Sequence, residues 1–263
     1  MQSAAIIEHI VNWLSNYANQ AKSKGFVVGV SGGIDSAVVS TLAAKTGLPT
    51  IVLEMPIHQK ADQIARAQEH INQLKKHYTN VEAHRVDLTT TFDSLAAAVD
   101  IGDKNQHQTQ LAFANARSRL RMVTLYYYAQ VRGMLVAGTG NKVEDFGVGF
   151  FTKYGDGGVD ISPIADLLKT QVYTLAKALN INNDIIQAAP TDGLWDADKT
   201  DEDQIGATYP ELEWAMSVYD QHTIDDFTGR EREVFSIYDR YHRAMQHKIN
   251  PIPVCQIPAE LLK

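Results

Sequence analysis

Between residues 28 and 37 the chain reads Val-Gly-Val-Ser-Gly-Gly-Ile-Asp-Ser-Ala, a gathering of residue types suited to phosphate. Gly32 and Gly33 allow backbone angles and close approaches denied to residues with a Cβ, so consecutive N–H groups can converge on an anion. Ser31 and Ser36 add hydroxyl donors, and a helix starting near Asp35 or Ser36 would aim the positive end of its dipole at the same point. The stretch has neither the Gly-x-x-x-x-Gly-Lys-Ser/Thr spacing that grips β- and γ-phosphates nor the Gly-x-Gly-x-x-Gly spacing of dinucleotide sites. Asp35 sets it apart. A carboxylate beside phosphates repels them unless a cation intervenes, which points to magnesium shared between protein and nucleotide. The other reading is a plain strand-to-helix turn with Asp35 as a helix cap.

The elements that must position this turn follow from short apolar runs after turn signals: strands at 25–30, 49–56, 81–88 and 133–139. Helix-like stretches fall between them, at 36–47, 60–78 and about 108–132, and an amphipathic helix opens the chain. This β-α alternation predicts an α/β fold: a doubly wound, mostly parallel sheet flanked by helices, with ligands at the carboxyl ends of the strands. After Gly140 the pattern becomes glycine-rich and irregular up to Asp160, then helical from about Pro163 to Leu179. An acidic stretch at 192–203 reads as a loop, with helices expected near 210–219 and 230–247. The tail, with its three prolines, reads as extended.

Composition narrows the function classes. The 263 residues are 44% hydrophobic and 21% charged, which suits one ordinary globular domain with a substantial core. The net charge of −7 argues against a general nucleic-acid surface, which needs clustered positive charge. No apolar run approaches the ~18 residues of a membrane span, and the first twenty residues lack the basic start of a signal peptide. The single cysteine, Cys255, excludes an internal disulfide, a cysteine zinc cluster or an iron–sulfur site made by this chain alone. A cytoplasmic protein is expected.

The run Ser31-Gly32-Gly33-Ile34-Asp35-Ser36 resembles the signature of the PP-loop ATP pyrophosphatases, which adenylylate a substrate oxygen, release pyrophosphate and let a nucleophile displace AMP. Four further segments make the chain similar to the ammonia-dependent NAD synthetases over nearly its whole length. In Asn-Ala-Arg-Ser-Arg-Leu-Arg-Met (115–122), Asn115 and Arg119 share one helix face and Arg117 and Arg121 the opposite one, so the three arginines cannot all meet one ligand. The resemblance assigns Arg119 to deamido-NAD; without it, the segment reads as a solvated basic face. In the segment 138–160 the resemblance implies Thr139 at the nucleotide, Glu144 as a second magnesium ligand with Asp145 as its substitute, and Lys153 and Asp160 at deamido-NAD. Asp156 in the Tyr-Gly-Asp-Gly-Gly turn is the expected acceptor of the ammonium proton. Lys169 stands early in a helix, where a cation gains nothing from the dipole, which favours a phosphate partner; the resemblance places it, with Thr191, on ATP. His247 and Lys248 match the family's pair at deamido-NAD.

The resemblance thus implies an adenine nucleotide alpha-hydrolase-like fold and a ligase that makes NAD from deamido-NAD, ATP and ammonia through an adenylate. Asp35, Lys169 and Asp156 are its expected catalytic residues, and Gly29, Val30, Ser31, Gly32, Gly33, Ile34 and Ser36 complete the expected ATP contacts. It further implies a homodimer. Residues 1–263 are expected to form a single synthetase domain without a glutaminase, so the nitrogen would come from free or delivered ammonia. Rivals are a PP-loop enzyme aminating a nucleotide base, a tRNA-thiolating relative disfavoured by one cysteine and an acidic balance, and a non-catalytic ATP sensor.

Overall fold

Four parallel strands in the order β3-β2-β1-β4 organise the chain, whose computed structural model describes residues 1–99, 106–191 and 200–262. They are β1 (Phe26–Gly29), β2 (Thr50–Glu54), β3 (Val81–Arg85) and β4 (Leu135–Val136). The register pairs Phe26 with Thr50 and Leu135, and Thr50 with Val81, so the carboxyl ends of β1 and β2 finish side by side at Gly29 and Leu53. Ala137 adds a parallel bridge to Ile161, which fastens the loop after β4 to the sheet.

Alternate strand residues face opposite sides and each side is roofed by helices, the doubly wound arrangement. Phe26 and Val28 pack under α1 (Ser3–Gln20), α2 (Ile34–Lys45) and α6 (Lys169–Ala178). Val30 and Val52 lie on the same side under α3 (Ala61–His77). Val27, Ile51, Leu53 and Val136 meet α4 (Thr89–Ala98) and α5 (His107–Arg132) on the other. Each such valine, leucine or phenylalanine contributes about 1.5–3 kcal/mol by burial. The short α7 (Asn183–Gln187) joins the first layer, and α8 (Asp201–Ile205), α9 (Tyr209–Val218) and α10 (Gly229–Ile249) form a second core with the segment after β4.

Several elements differ from the sequence reading. The stretch 163–168 is turn rather than helix, because Leu168 is extended (φ −67°, ψ 154°) and its N–H is capped by the Gln171 side chain at 2.9 Å. The helix therefore begins at Lys169 itself. The supposedly irregular segment after Gly140 contains a π-helical turn, Val143–Val148. β4 is two residues long rather than seven, and α4 was not foreseen at all. Residues 250–258 have no regular structure, as expected of the proline-rich tail. The expected acidic loop lies largely at 192–199, outside the described residues, and its last part, Asp201–Asp203, opens α8.

Candidate active site

The Ser-Gly-Gly turn sits where β1 ends and α2 begins, at the carboxyl edge of the sheet. Gly32 has φ +83°, and a Cβ there would meet the Gln63 carbonyl of α3 at 2.7 Å, so only glycine lets the turn close against that helix. The two serines organise the turn internally: the Gly33 N–H donates to Ser31 Oγ (3.2 Å), the Ser31 N–H to Ser36 Oγ (3.2 Å), and Ser36 Oγ to the Gly33 carbonyl (2.9 Å). The donors expected to hold an anion are thus pre-arranged on one another. Val30 and Ile34 are buried anchors on either side.

Asp35, in the first turn of α2, points toward Glu144 of the π-helical turn, and between them lies the ammonium of Lys169. Lys169 Nζ is 2.6 Å from Asp35 Oδ2 and 3.0 Å from Glu144 Oε1, and the lysine is only 3% exposed. Tyr209 donates its hydroxyl to Glu144 Oε1 at 2.5 Å, and Asn141 donates its amide to Asp35 Oδ1 at 3.3 Å. Burial disfavours the ammonium, but the two carboxylates outweigh it and hold the Lys169 pKa above its ordinary value. Burial raises Asp35 despite Lys169, whereas Lys169 and Tyr209 together overcome burial at Glu144 and lower it. Lys169 pairs with carboxylates, not with a phosphate as its position in the helix suggested.

Two carboxylates already converging on one cation fit a magnesium site. The ion takes its remaining oxygens from phosphates and water, so two protein ligands are enough. Among the described residues no group of three or more His, Cys, Asp or Glu is arranged to hold a metal. Asp145, the expected substitute ligand, lies beside Gly140 instead, where its carboxylate would clash with any Cβ; burial first, and Glu144 second, push its pKa to about 8.

Two adjoining clefts meet at Ser31, Ser36, Thr139 and Asp156. One, of about 210 Å³, is largely apolar and is walled by Gly29, Met55, Pro56, Met122, Leu125 and Val159, the shape and polarity of a nucleoside site. The other holds the Ser-Gly-Gly turn, Asp35, Glu144, Lys169 and Thr191, a site for charge. Asp156 belongs to both, and its turn is fastened: Ser118 Oγ donates to Asp156 Oδ1 at 2.7 Å and the Thr152 N–H at 2.9 Å. Protein surrounds it even though it opens onto the cleft, and that depth raises its pKa.

A third constellation lies across the 150–156 loop. Arg119 Nε donates to the Lys153 carbonyl (3.3 Å), the Lys153 ammonium donates to the His247 carbonyl, and Lys248 Nζ donates to the Phe151 carbonyl (2.6 Å). Four of the five expected dinucleotide residues thus come together. Asp160 stands apart: it accepts from the Val136 N–H (2.8 Å) and from the Tyr126 hydroxyl (3.1 Å), fixing the loop to β4. Arg117 is buried against the Phe92 ring at 4.4 Å, and Arg121 donates to the Met55 carbonyl (3.0 Å) and Gln59 (2.8 Å) in the apolar cleft. The opposite-face reading of these arginines therefore holds.

Sequence reasoning gave no role to Tyr209, Asn141, Ser118 or Arg121, which the structure brings to these clefts and their supports. Asn141 stands two residues from Thr139 and was within reach of a closer reading; Tyr209 is 65 residues from its partner Glu144, and no local signal joins them.

The NAD synthase family model matches residues 6–251. The NH3-dependent NAD+ synthetase of Mesoplasma florum is 38% identical over 252 residues, covering 95% of this chain and 96% of the relative. Among solved structures, an NMN synthetase from Francisella tularensis has a TM-score of 0.83 at 33% identity, covering 98% of this chain and 99% of the other. An NH3-dependent NAD synthetase from Campylobacter jejuni, solved with nitrate ion, has a TM-score of 0.77 at 23% identity, covering 97% of this chain and 100% of the other, and so speaks for the fold.

Proposed function

The chain belongs to the NAD synthase family, and from that membership we infer that it is a carbon–nitrogen ligase that uses ATP to amidate deamido-NAD with ammonia, yielding NAD, AMP and pyrophosphate. The observation that carries this reading to the residues is the Lys169 bridge between Asp35 and Glu144 at the mouth of the Ser-Gly-Gly turn. Nucleotide binding alone needs no such pair of carboxylates, whereas pyrophosphate departure requires cations placed against developing negative charge.

ATP lies with its adenosine in the apolar cleft and its phosphates over Gly32, Gly33, Ser31 and Ser36, with Thr139 and Thr191 beside them. Asp35 and Glu144 would hold magnesium, which would supply positive charge against the departing pyrophosphate. Lys169, between the two carboxylates, adds its own positive charge on the phosphate side. Arg119, Lys153, His247 and Lys248 hold the dinucleotide so that its nicotinate carboxylate meets the α-phosphorus. A P–O bond forms there as the bond to pyrophosphate breaks, and the free carboxylate becomes an acyl phosphate with AMP as leaving group. Orientation of the two reactants supplies most of the acceleration. Asp156, fixed by Ser118 and Thr152, accepts the proton of ammonium before nitrogen attacks the carbonyl carbon. Residues 1–263 act as one synthetase domain in the cytoplasm and use free or delivered ammonia. The protein works as a homodimer; Val123, Tyr127 and Val131, exposed at successive turns of α5, supply an apolar stripe for a second copy.

A second reading rests on the Francisella tularensis NMN synthetase, 33% identical over nearly the whole chain: the same chemistry on the mononucleotide acid. One assay separates them. With ATP, magnesium and ammonium present, deamido-NAD and nicotinate mononucleotide are offered separately, and AMP and the amide product are followed together. Equal formation of NAD and AMP, preferred several-fold over the mononucleotide reaction, is expected. Preference for the mononucleotide would select the second reading, and AMP release with neither acceptor would overturn both.

A further inference from the structure

Among the described residues, the phosphate cleft is poor in positive charge for the ligand it is read to hold: five acidic side chains line it, Asp35, Glu144 and Asp201 among them, against two cations, Lys169 and Arg66. Lys169 is held between Asp35 and Glu144, which leaves Arg66, among the described residues of the cleft, as the cation not enclosed by carboxylates.

Arg66 is on α3, and its Cβ lies 3.3 Å from where a Cβ on Gly32 would be, so the side chain springs from directly beside the phosphate turn. Its guanidinium is underused. Nη1 donates to Asp62 one helical turn earlier, at 2.9 Å, but that carboxylate is 63% exposed, and Nε is buried with no hydrogen-bond partner among the described residues. An exposed i,i+4 pair is weak, whereas a guanidinium fork against phosphate oxygens makes two charge-assisted bonds in parallel.

We propose that Arg66 is a pyrophosphate-binding residue of this site, exchanging Asp62 for the β- and γ-phosphate oxygens when ATP enters and holding them as pyrophosphate leaves. This rests on the reading of the cleft as the ATP phosphate site. Arg66 completes the cradle from the α3 side, opposite Lys169, so the leaving group is gripped between two cations on different elements. Its contact is made with a charge that grows during the reaction, which is where a donor has most effect on rate.

Calorimetric titration of magnesium pyrophosphate into the full chain tests this, with AMP titrated in parallel to report the nucleoside cleft. Arg66→Gln is expected to weaken pyrophosphate binding by about tenfold or more while AMP binding stays as in the parent, and Arg66→Lys to recover part of the loss. Asp62→Asn, which breaks the same helix pair from the other side, is expected to leave pyrophosphate affinity unchanged or to tighten it. Parental affinity in Arg66→Gln would overturn the proposal and leave the site reading standing. Equal losses in Arg66→Gln and Asp62→Asn would also overturn it, since the pair would then serve only to hold α3. Absence of pyrophosphate binding to the parent protein would remove the phosphate reading itself, and the proposal with it.

Discussion

At the scale of residues, the site is a balance among charges that protein, not water, must satisfy. Lys169 neutralises two carboxylates in a nearly dry place, so removing it does more than remove the cation proposed for catalysis. Lys169→Met leaves Asp35 and Glu144 facing each other unpaired and is expected to lower stability by about 3 kcal/mol or more; denaturant unfolding reads the loss, and an undiminished midpoint would contradict the bridge. A second buried group, which does not line the clefts, also acts on stability. His70 of α3 is buried, its Nε2 is 2.8 Å from Ser40 Oγ, and burial lowers its pKa to about 4 from an ordinary 6.5. The unfolded chain therefore takes up a proton near pH 6.5 that the folded chain refuses until about pH 4. This contribution is complete above pH 6.5 and is lost as the pH falls to about 4, a change of about 3 kcal/mol. His70→Gln is expected to flatten that part of the stability curve relative to the parent; parallel curves for the two proteins would show that the imidazole is not the cause.

At the scale of elements, each functional side chain owes its place to where a strand, turn or helix stops. The close packing of α3 on the phosphate turn is why Gly32 and Gly33 are not equivalent. Gly32→Ala puts a side chain at φ +83° and against the Gln63 carbonyl, and is expected to cost about 1–3 kcal/mol and to weaken pyrophosphate binding. Gly33 sits at φ −93°, where alanine is at ease, and its nearest obstacle is Ser31 Oγ at 3.3 Å. Gly33→Ala is therefore expected to keep the stability of the parent; equal destabilisation by both, measured by thermal unfolding, would contradict this account. The same packing explains what the sequence made legible. The phosphate turn was readable because strand, glycines, serine and helix are contiguous, and β1 and β2 were readable because their buried runs end at turns. The helix Thr89–Ala98 was hidden by its three opening threonines, whose branched side chains favour other conformations. The start of α6 turned on one extended residue, Leu168, held by Gln171. Tyr209 and Arg66 reach the site only through tertiary packing, which no spacing within a short segment reveals.

At the scale of the whole molecule, the doubly wound sheet supplies the edge that carries the Ser-Gly-Gly turn, and the helical core of α8–α10 brings Tyr209 to Glu144 and Lys248 to the Phe151 carbonyl. The proposed active site thus lies between two packed regions of one chain. The homodimer proposed above would use the outward stripe of α5. Val123, Tyr127 and Val131 are 59%, 66% and 65% exposed, so Tyr127→Glu is expected to shift the protein from dimer to monomer in sedimentation experiments, and an unchanged sedimentation coefficient would place the interface elsewhere. Whether an oxygen of the nicotinate carboxylate is adenylylated before nitrogen arrives is open to one direct measurement. Deamido-NAD labelled with oxygen-18 in that carboxylate is turned over with ATP and ammonium, and the products are weighed by mass spectrometry. One labelled oxygen in the AMP phosphate, with the other kept in the NAD amide, is the expected result. AMP without label, or label in pyrophosphate, would contradict the adenylate and with it the assignment of the site.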